Sequence, residues 1–417
     1  MKQIKIEGGH ILNGEIKVSG AKNSAVALVP ASILCDEEVV IDNIPCISDI
    51  DALKEILNHL GANIKEQGTT MTIDPRSINN REIPEVISKK LRASYYFMGA
   101  ILGKYKKAEM YFPGGCSIGA RPIDLHLKGF EALGAKVINE GNKYIVEAEE
   151  LRGSNIYLDI ASVGATINIM LAAVRAKGRT IIDNAAKEPE IVNVATYLNN
   201  MGAKIRGAGT STIKIEGVNH LHKCFHEVIP DRIEAGTYII IGALCGDHLK
   251  VSNLIPEHIE SLISKLEEIG VEFEIGSDYV VVSRGDNYKS TNIKTLVYPG
   301  FPTDLQQPFT TLLTQCNGKS KVTETIWENR FMHVPYLSSM GANISVKNQT
   351  ATILGPTKLK GTEIVATDLR AGAAMVAAAL IASGSTRITN VEHILRGYER
   401  IIEKLSNVGA KIELSEI

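Results

Sequence analysis

Six times along the chain a patterned stretch ends in a small tripeptide centred on glycine. These are Leu60-Gly61-Ala62, Leu133-Gly134-Ala135, Met201-Gly202-Ala203, Ile269-Gly270-Val271, Met340-Gly341-Ala342 and Val408-Gly409-Ala410. The glycines stand 73, 68, 68, 71 and 68 residues apart. Self-similarity at a near-fixed period marks a repeated supersecondary unit. A glycine closing a helical pattern takes the left-handed position that ends a helix. A β-type run follows, as in Ala135-Lys136-Val137-Ile138 and Ala410-Lys411-Ile412-Glu413-Leu414.

A second recurrence is interleaved with the first. Runs of small and aliphatic residues at 25–34, 95–103, 166–176, 236–245, 308–314 and 371–382 are mostly apolar all round, which predicts helices buried on every face. Amphipathic helices are predicted at 49–60, 124–133, 190–201, 257–269, 329–340 and 392–408, and a short strand follows each buried run, as at 39–43, 180–184 and 386–390. The unit therefore reads as buried helix, strand, exposed helix, strand, connection, strand. The chain starts and ends within a unit, so the strands expected at 3–7 and 14–18 read as the missing half of the last repeat. This predicts an α/β chain with one domain at 22–229 and a discontinuous one at 1–21 plus 230–417. In each, three helices are expected at the centre with sheets around them.

Bulk properties narrow the class. At 417 residues, two cores are the prior. A net charge of −2 gives no broad basic surface for nucleic acid. The N-terminus carries no apolar signal region, and no 18-residue apolar run occurs, so no membrane association is expected. The six cysteines lack metal-type or disulfide-framework spacing, and the chain reads as cytoplasmic with reduced thiols, without metal or cofactor. No GxxxxGK[ST], HExxH or GxGxxG motif is present.

The chemistry concentrates at the starts of the six buried runs. They carry Lys22-Asn23-Ser24, Leu91-Arg92-Ala93-Ser94, Ser162-Val163-Gly164, Asp231-Arg232, Thr303-Asp304-Leu305 and Asp368-Leu369-Arg370. Helix N-termini attract anions. Ser162, Asp231, Asp304 and Asp368 also read as ordinary N-caps. Lys22 and Arg370 do not, because a cation at a helix N-terminus is unfavourable without an anion. Arg396, where the last strand enters the last helix, is a further candidate for the anion set, whereas His126 reads as a surface residue. The stretch Pro113-Gly114-Gly115-Cys116 reads as a loop with a thiol at its tip, near Lys104, Lys106, Lys107 and Arg121. Such cations would lower the pKa of the thiol and raise its reactivity.

Taken together, six stretches resemble the UDP-N-acetylglucosamine 1-carboxyvinyltransferases, a family of enolpyruvyl transferases. They are Lys22-Asn23-Ser24-Ala25, Pro113 to Pro122, Gly300-Phe301-Pro302-Thr303-Asp304-Leu305-Gln306, Glu328-Asn329-Arg330-Phe331-Met332-His333, Asp368-Leu369-Arg370 and Arg396-Gly397-Tyr398-Glu399. The likeness spans essentially the whole chain. It implies two inside-out α/β barrel (prism) domains of three units each. It also implies transfer of the enolpyruvyl group of phosphoenolpyruvate to the 3′-hydroxyl of UDP-N-acetylglucosamine with release of phosphate, the first committed step of peptidoglycan precursor synthesis.

The resemblance further implies that Cys116 is the general acid toward the methylene carbon and the residue alkylated by fosfomycin, and that Asp304 is the base at the sugar hydroxyl. Lys22, Arg92, Arg121, Arg370 and Arg396 match the cations around phosphoenolpyruvate, Lys22 and Arg396 with a part in catalysis. Asn23, Arg121, Pro122, Ile123, Asp124, Leu125, Ser162, Val163, Gly164 and Ile326 match contacts to the UDP-sugar. The chain departs from some relatives at Cys46-Ile47-Ser48 and Ile160-Ala161, where those carry a basic residue.

Three other readings compete. A 3-phosphoshikimate 1-carboxyvinyltransferase shares fold and chemistry but lacks the cysteine loop. A six-repeat DNA clamp needs a basic inner face. A catalytically weak regulatory paralogue is the third. The oligomeric state is open.

Overall fold

The computed structural model describes residues 2–111 and 122–416. It divides into two compact units, one holding 2–19 and 230–416, the other 20–111 and 122–229. Each carries three sheets.

The repeated unit is seen uninterrupted between residues 155 and 216. Edge strand Asn155–Tyr157 leads into buried helix Val163–Ala173, then strand Arg179–Asp183, amphipathic helix Pro189–Asn200 and the hairpin of Lys204–Arg206 with Thr212–Glu216. The edge strand pairs parallel with Arg179–Asp183 and the hairpin pairs antiparallel on the other side. A parallel pair needs a crossover, and the buried helix supplies it. Helices of this kind begin at the C-terminal ends of the parallel strands, where α/β folds gather ligands.

The central helices are Lys22–Ala31, Tyr96–Tyr105 and Val163–Ala173 in one unit, and Arg232–Cys245, Thr303–Leu313 and Leu369–Ile381 in the other. They are buried nearly all round and most are apolar, as their composition predicts: Ala371 through Leu380 are buried without interruption, whereas Thr303–Leu313 also buries Gln306, Gln307, Thr310 and Thr311. Tyr96–Tyr105 approaches Val163–Ala173 so closely that a Cβ on Gly99 would lie 2.2 Å from Asn168 Oδ1. The Gly99 N–H instead donates to that oxygen at 2.8 Å.

All six tripeptide glycines adopt positive φ, from 92° to 108°. The next N–H reaches back to a helix carbonyl each time, in the bonds Ala62 to Leu57, Ala135 to Phe130, Ala203 to Leu198, Val271 to Leu266, Ala342 to Leu337 and Ala410 to Leu405, all 2.9–3.0 Å. This six-to-one bond satisfies a carbonyl the helix leaves open.

The termini correct one expectation. Lys2–Glu7 does complete the last repeat, pairing antiparallel with both Ser385–Thr389 and Lys411–Glu416. Leu12–Lys17 does not. It is the parallel edge strand of Gly246–Ser252, in the fourth repeat. Residues 20–229 are thus inserted between that edge strand and its crossover helix Arg232–Cys245. At the insertion, the Asp231 N–H donates to the Ser19 carbonyl at 2.9 Å, and the Ala21 N–H to the Ile229 carbonyl at 2.7 Å.

Two predicted helices are shorter than the periodicity implied. The one expected at 329–340 is Val334–Ser339, because Pro335 fits only the first turn of a helix. The one expected at 392–408 breaks into Glu392–Leu395 and Ile401–Asn407, with Arg400 at φ 50° between them. Among the described residues, no helix is long and apolar enough to cross a membrane.

Candidate functional site

Each unit gathers a cluster of polar side chains at the starts of its central helices. In the unit of residues 20–229, Lys22 and Asn23 open helix Lys22–Ala31, and Arg92 opens the 3-10 turn Arg92–Tyr95 that leads into Tyr96–Tyr105. Ser162 caps Val163–Ala173, its Oγ accepting from the Ala165 N–H at 3.2 Å. Val163 and Gly164 follow, half-buried. Pro122 is exposed and Ile123 buried, with Asp124 exposed and Leu125 half-buried at the start of helix Asp124–Ala132.

Lys22 does not stand against the helix dipole alone. Its Nζ lies 2.7 Å from Asp49 Oδ2, with both side chains largely buried. Asp49 carried no signal in the sequence, being one of two acids in the first turn of an amphipathic helix. Of the basic residues expected around Cys116, Lys104 and Lys107 pair with Asp36 and Glu109, and Lys106 Nζ donates to the Gly103 carbonyl at 2.6 Å. Cys116 and Arg121 lie outside the described residues.

His126 is buried, not a surface residue. Because Asn168 Oδ1 accepts from Gly99, its Nδ2 faces the ring and donates to His126 Nδ1 at 2.9 Å. The imidazole therefore carries its proton on Nε2, against Gly164. Burial, with Arg92 adding repulsion, pulls His126 down to about 3. Unfolded, it titrates near 6.5, so the unfolded chain binds the extra proton between these values. This contribution is whole above about pH 6.5 and lost as pH falls, by about 1.4 kcal/mol per pH unit until about pH 3. We expect urea unfolding of His126→Gln to lose that much slope between pH 6.5 and 4.5 relative to the parent. Parallel slopes would contradict a neutral buried imidazole.

In the unit of residues 2–19 and 230–416, three acids at helix starts separate into two kinds. Asp231 caps through the N–H groups of Ile233 and Glu234 at 2.9 and 3.0 Å, and Asp368 through those of Arg370 and Ala371 at 2.9 and 3.1 Å. Ser162 behaves likewise in the other unit. Asp304 does not cap. It is the second residue of Thr303–Leu313, and its Oδ1 accepts from Arg330 Nη2 at 2.6 Å while Oδ2 accepts from Arg370 Nη2 at 3.2 Å. Both guanidiniums are almost fully buried, whereas the Asp304 side chain is 27% exposed.

Arg370 also lies over the Tyr398 ring, 5.3 Å from its centroid. Burial opposes its charge, but Tyr398, Asp304 and Asp231 raise it above its ordinary value. Its place at a helix N-terminus is thus compensated within the protein. Ile326 is half-buried just past strand Gly318–Thr323, and Arg396 follows Glu392–Leu395, half-buried. His333 is wholly buried and held neutral, down to about 4, by that burial.

Arg330 was not predicted as a site residue. It stands in the quoted Glu328-Asn329-Arg330 stretch, but nothing local to it reveals a guanidinium buried against Asp304, 26 residues away. The cluster can present a carboxylate of fixed orientation to a hydroxyl, since a buried arginine holds each of its oxygens. The buried cations beside it suit an anionic reactant.

The chain matches the EPSP synthase (3-phosphoshikimate 1-carboxyvinyltransferase) family over residues 6–405. It is 57% identical over 412 residues to UDP-N-acetylglucosamine 1-carboxyvinyltransferase 2 of Geobacillus kaustophilus (strain HTA426), covering 99% of this chain and 96% of that one. The protein of the same name from Listeria monocytogenes serovar 1/2a is 55% identical over 410 residues, covering 98% and 97%. Among solved structures, the enolpyruvyl transferase NikO from Streptomyces tendae matches with a TM-score of 0.90 at 26% identity over 99% of each chain. EPSP synthase from Acinetobacter baumannii, at 17% identity and a TM-score of 0.77, has a similar fold. The chain belongs to the EPSP synthase family of enolpyruvyl transferases and, within it, to the UDP-N-acetylglucosamine 1-carboxyvinyltransferases.

Proposed function

We propose that this enzyme transfers the enolpyruvyl group of phosphoenolpyruvate to the 3′-hydroxyl of UDP-N-acetylglucosamine, releasing phosphate. The likeness at 55–57% identity over nearly the whole chain carries the choice of acceptor. The Asp304 carboxylate, held by Arg330 and Arg370 and not spent on a cap, supports the chemistry. The step belongs to peptidoglycan precursor synthesis in the cytoplasm, and through it to cell-wall biogenesis, cell shape and cell division. Each unit is proposed to be an inside-out α/β prism, and each to act as a domain at about the boundaries expected from the repeat.

The reaction is an addition followed by an elimination. In the addition, Asp304 takes the proton of the 3′-hydroxyl as its oxygen bonds to C2 of phosphoenolpyruvate, and Cys116 delivers a proton to the methylene carbon. In the elimination, that carbon loses a proton and phosphate leaves from C2, restoring the double bond. Lys22, Arg92, Arg121, Arg370 and Arg396 gather the phosphate and carboxylate and offset charge that develops between the two steps. Asn23, Pro122, Ile123, Asp124, Leu125, Ser162, Val163, Gly164 and Ile326 hold the UDP-sugar. A positioned acid of suitable pKa is needed because the proton must reach carbon.

Phosphate release from phosphoenolpyruvate tests the acceptor. We expect release with UDP-N-acetylglucosamine and none with 3-phosphoshikimate. Release only with phosphoshikimate would overturn the acceptor while keeping the chemistry. Silence with both would favour a regulatory paralogue.

A further inference from the structure

Aligned by hydrogen-bond register, five of the repeats end their central strand opposite the last residue of the parallel edge strand. Asp42 stands opposite Glu227, Asp183 opposite Tyr157, Ser252 opposite Lys17, Thr323 opposite Lys294 and Thr389 opposite Val365. In four of them the next residue is asparagine. Asn43, Asn184, Asn253 and Asn390 all have φ between 55° and 58°, a left-handed backbone that asparagine tolerates well. Three donate through Nδ2 to the carbonyl just past the edge strand: Asn43 to Val228 at 2.8 Å, Asn184 to Leu158 at 2.7 Å and Asn253 to Val18 at 2.7 Å. An asparagine turn is therefore this fold's own solution at the position.

The fifth repeat carries Glu324 there, without a positive φ. Its side chain is buried, at 1% exposure. Oε1 accepts from Thr295 Oγ1 at 2.8 Å and from the N–H groups of Ile326 and Trp327 at 2.8 and 3.2 Å, and Oε2 accepts from Thr303 Oγ1 at 2.9 Å. The Thr325 N–H, in turn, donates to Thr295 Oγ1 at 2.9 Å. One carboxylate thus ties the segment holding Ile326 to the residue immediately before Asp304. A carboxylate offers about four acceptor sites in its plane. An asparagine, one methylene shorter and turned toward the edge strand, cannot gather the same four donors.

We infer that Glu324 is a positioning residue for the acceptor sugar, fixing Ile326 on one side and Asp304 on the other in a single register. The inference rests on the roles proposed above for those two residues. Small errors in reactant placement are costly, about 100-fold for a misplacement near 1 Å.

The test is kinetic, on the full-length enzyme. Glu324→Asn installs the residue that the fold uses elsewhere, and we expect it to fold. Its KM for UDP-N-acetylglucosamine should rise and its kcat fall, each by about 10- to 100-fold, with KM for phosphoenolpyruvate changed far less. Glu324→Gln keeps the Oε1 acceptor, and the Thr303 hydroxyl can turn to accept from the new amide. That variant should stay within about threefold of the parent. Thr303→Val cuts only the link toward Asp304 and should lower kcat with KM for the sugar unchanged.

Parent-like constants in Glu324→Asn would overturn the inference, as would equal losses in the Asn and Gln variants that track the folded fraction. If Glu324→Asn fails to fold, an unchanged kcat in Thr303→Val overturns it instead. Failure of the underlying reading looks different, because Asp304→Asn would then turn over normally.

Discussion

Asp304→Asn is expected to lower kcat by about two to four orders of magnitude while changing the dissociation constant of UDP-N-acetylglucosamine by less than about tenfold. The amide keeps the shape of the side chain and one acceptor oxygen, so a sugar hydroxyl can still bond to it. It cannot accept the proton that must leave that hydroxyl. Structural damage is a competing cause, because Arg330 and Arg370 would lose the anion between them while remaining almost wholly buried. Removing one partner of a buried pair destabilises, although Asp304 is 27% exposed and solvent screens part of the loss. Arg370 also keeps the Tyr398 ring. Calorimetric titration of the sugar, beside steady-state rates and a thermal unfolding curve, separates the two causes. Equal losses in binding and turnover, with a parent-like unfolding curve, would demote Asp304 to a binding residue.

Cys116→Ser is expected to abolish time-dependent inactivation by fosfomycin, with a parent-like unfolding curve. Alkylation by an epoxide forms an Sγ–C bond and breaks a C–O bond, and the released oxygen takes a proton. A thiol near pKa 8.5 supplies thiolate at neutral pH, and a serine hydroxyl supplies essentially no alkoxide. The other cysteines make the result specific. Burial pushes the Cys224, Cys245 and Cys316 thiols up to about 12 and raises Cys35 as well, so none is a ready nucleophile. Cys46 is exposed and is the internal control. Intact mass should show one adduct on the parent and none on the variant. An adduct on the variant would move the assignment to Cys46, and unchanged inactivation would remove Cys116 from the chemistry.

Much of the architecture was legible because it is written in short-range signals. The helix-terminating glycines declare themselves through one residue type at one backbone conformation. Most of the buried helices declare themselves through runs with no polar face. Pro335 is equally legible, and it starts the helix at Val334, short of the 329–340 that periodicity alone implies. Leu12–Lys17 was harder. Its pattern makes it a strand, but its partner Gly246–Ser252 lies more than 200 residues away, and no local preference specifies that pairing.

Local residue patterns specify the six-fold repeat, the helix starts as the place where chemistry gathers, and the residue types there that match enolpyruvyl transferases. They leave Asp231, Asp304 and Asp368 alike, three acids at three helix starts. Only the tertiary structure made them differ. Asp231 and Asp368 turn inward onto their own backbone N–H groups, a bond within three residues that the local chain can form alone. Asp304 reaches arginines 26 and 66 residues away, which come to it only once the sheets and central helices have packed. The same packing gave Lys22 its Asp49 and gathered four donors around Glu324. Caps and turns are set by a few neighbouring dihedrals, whereas a buried charge needs partners from elsewhere in the chain.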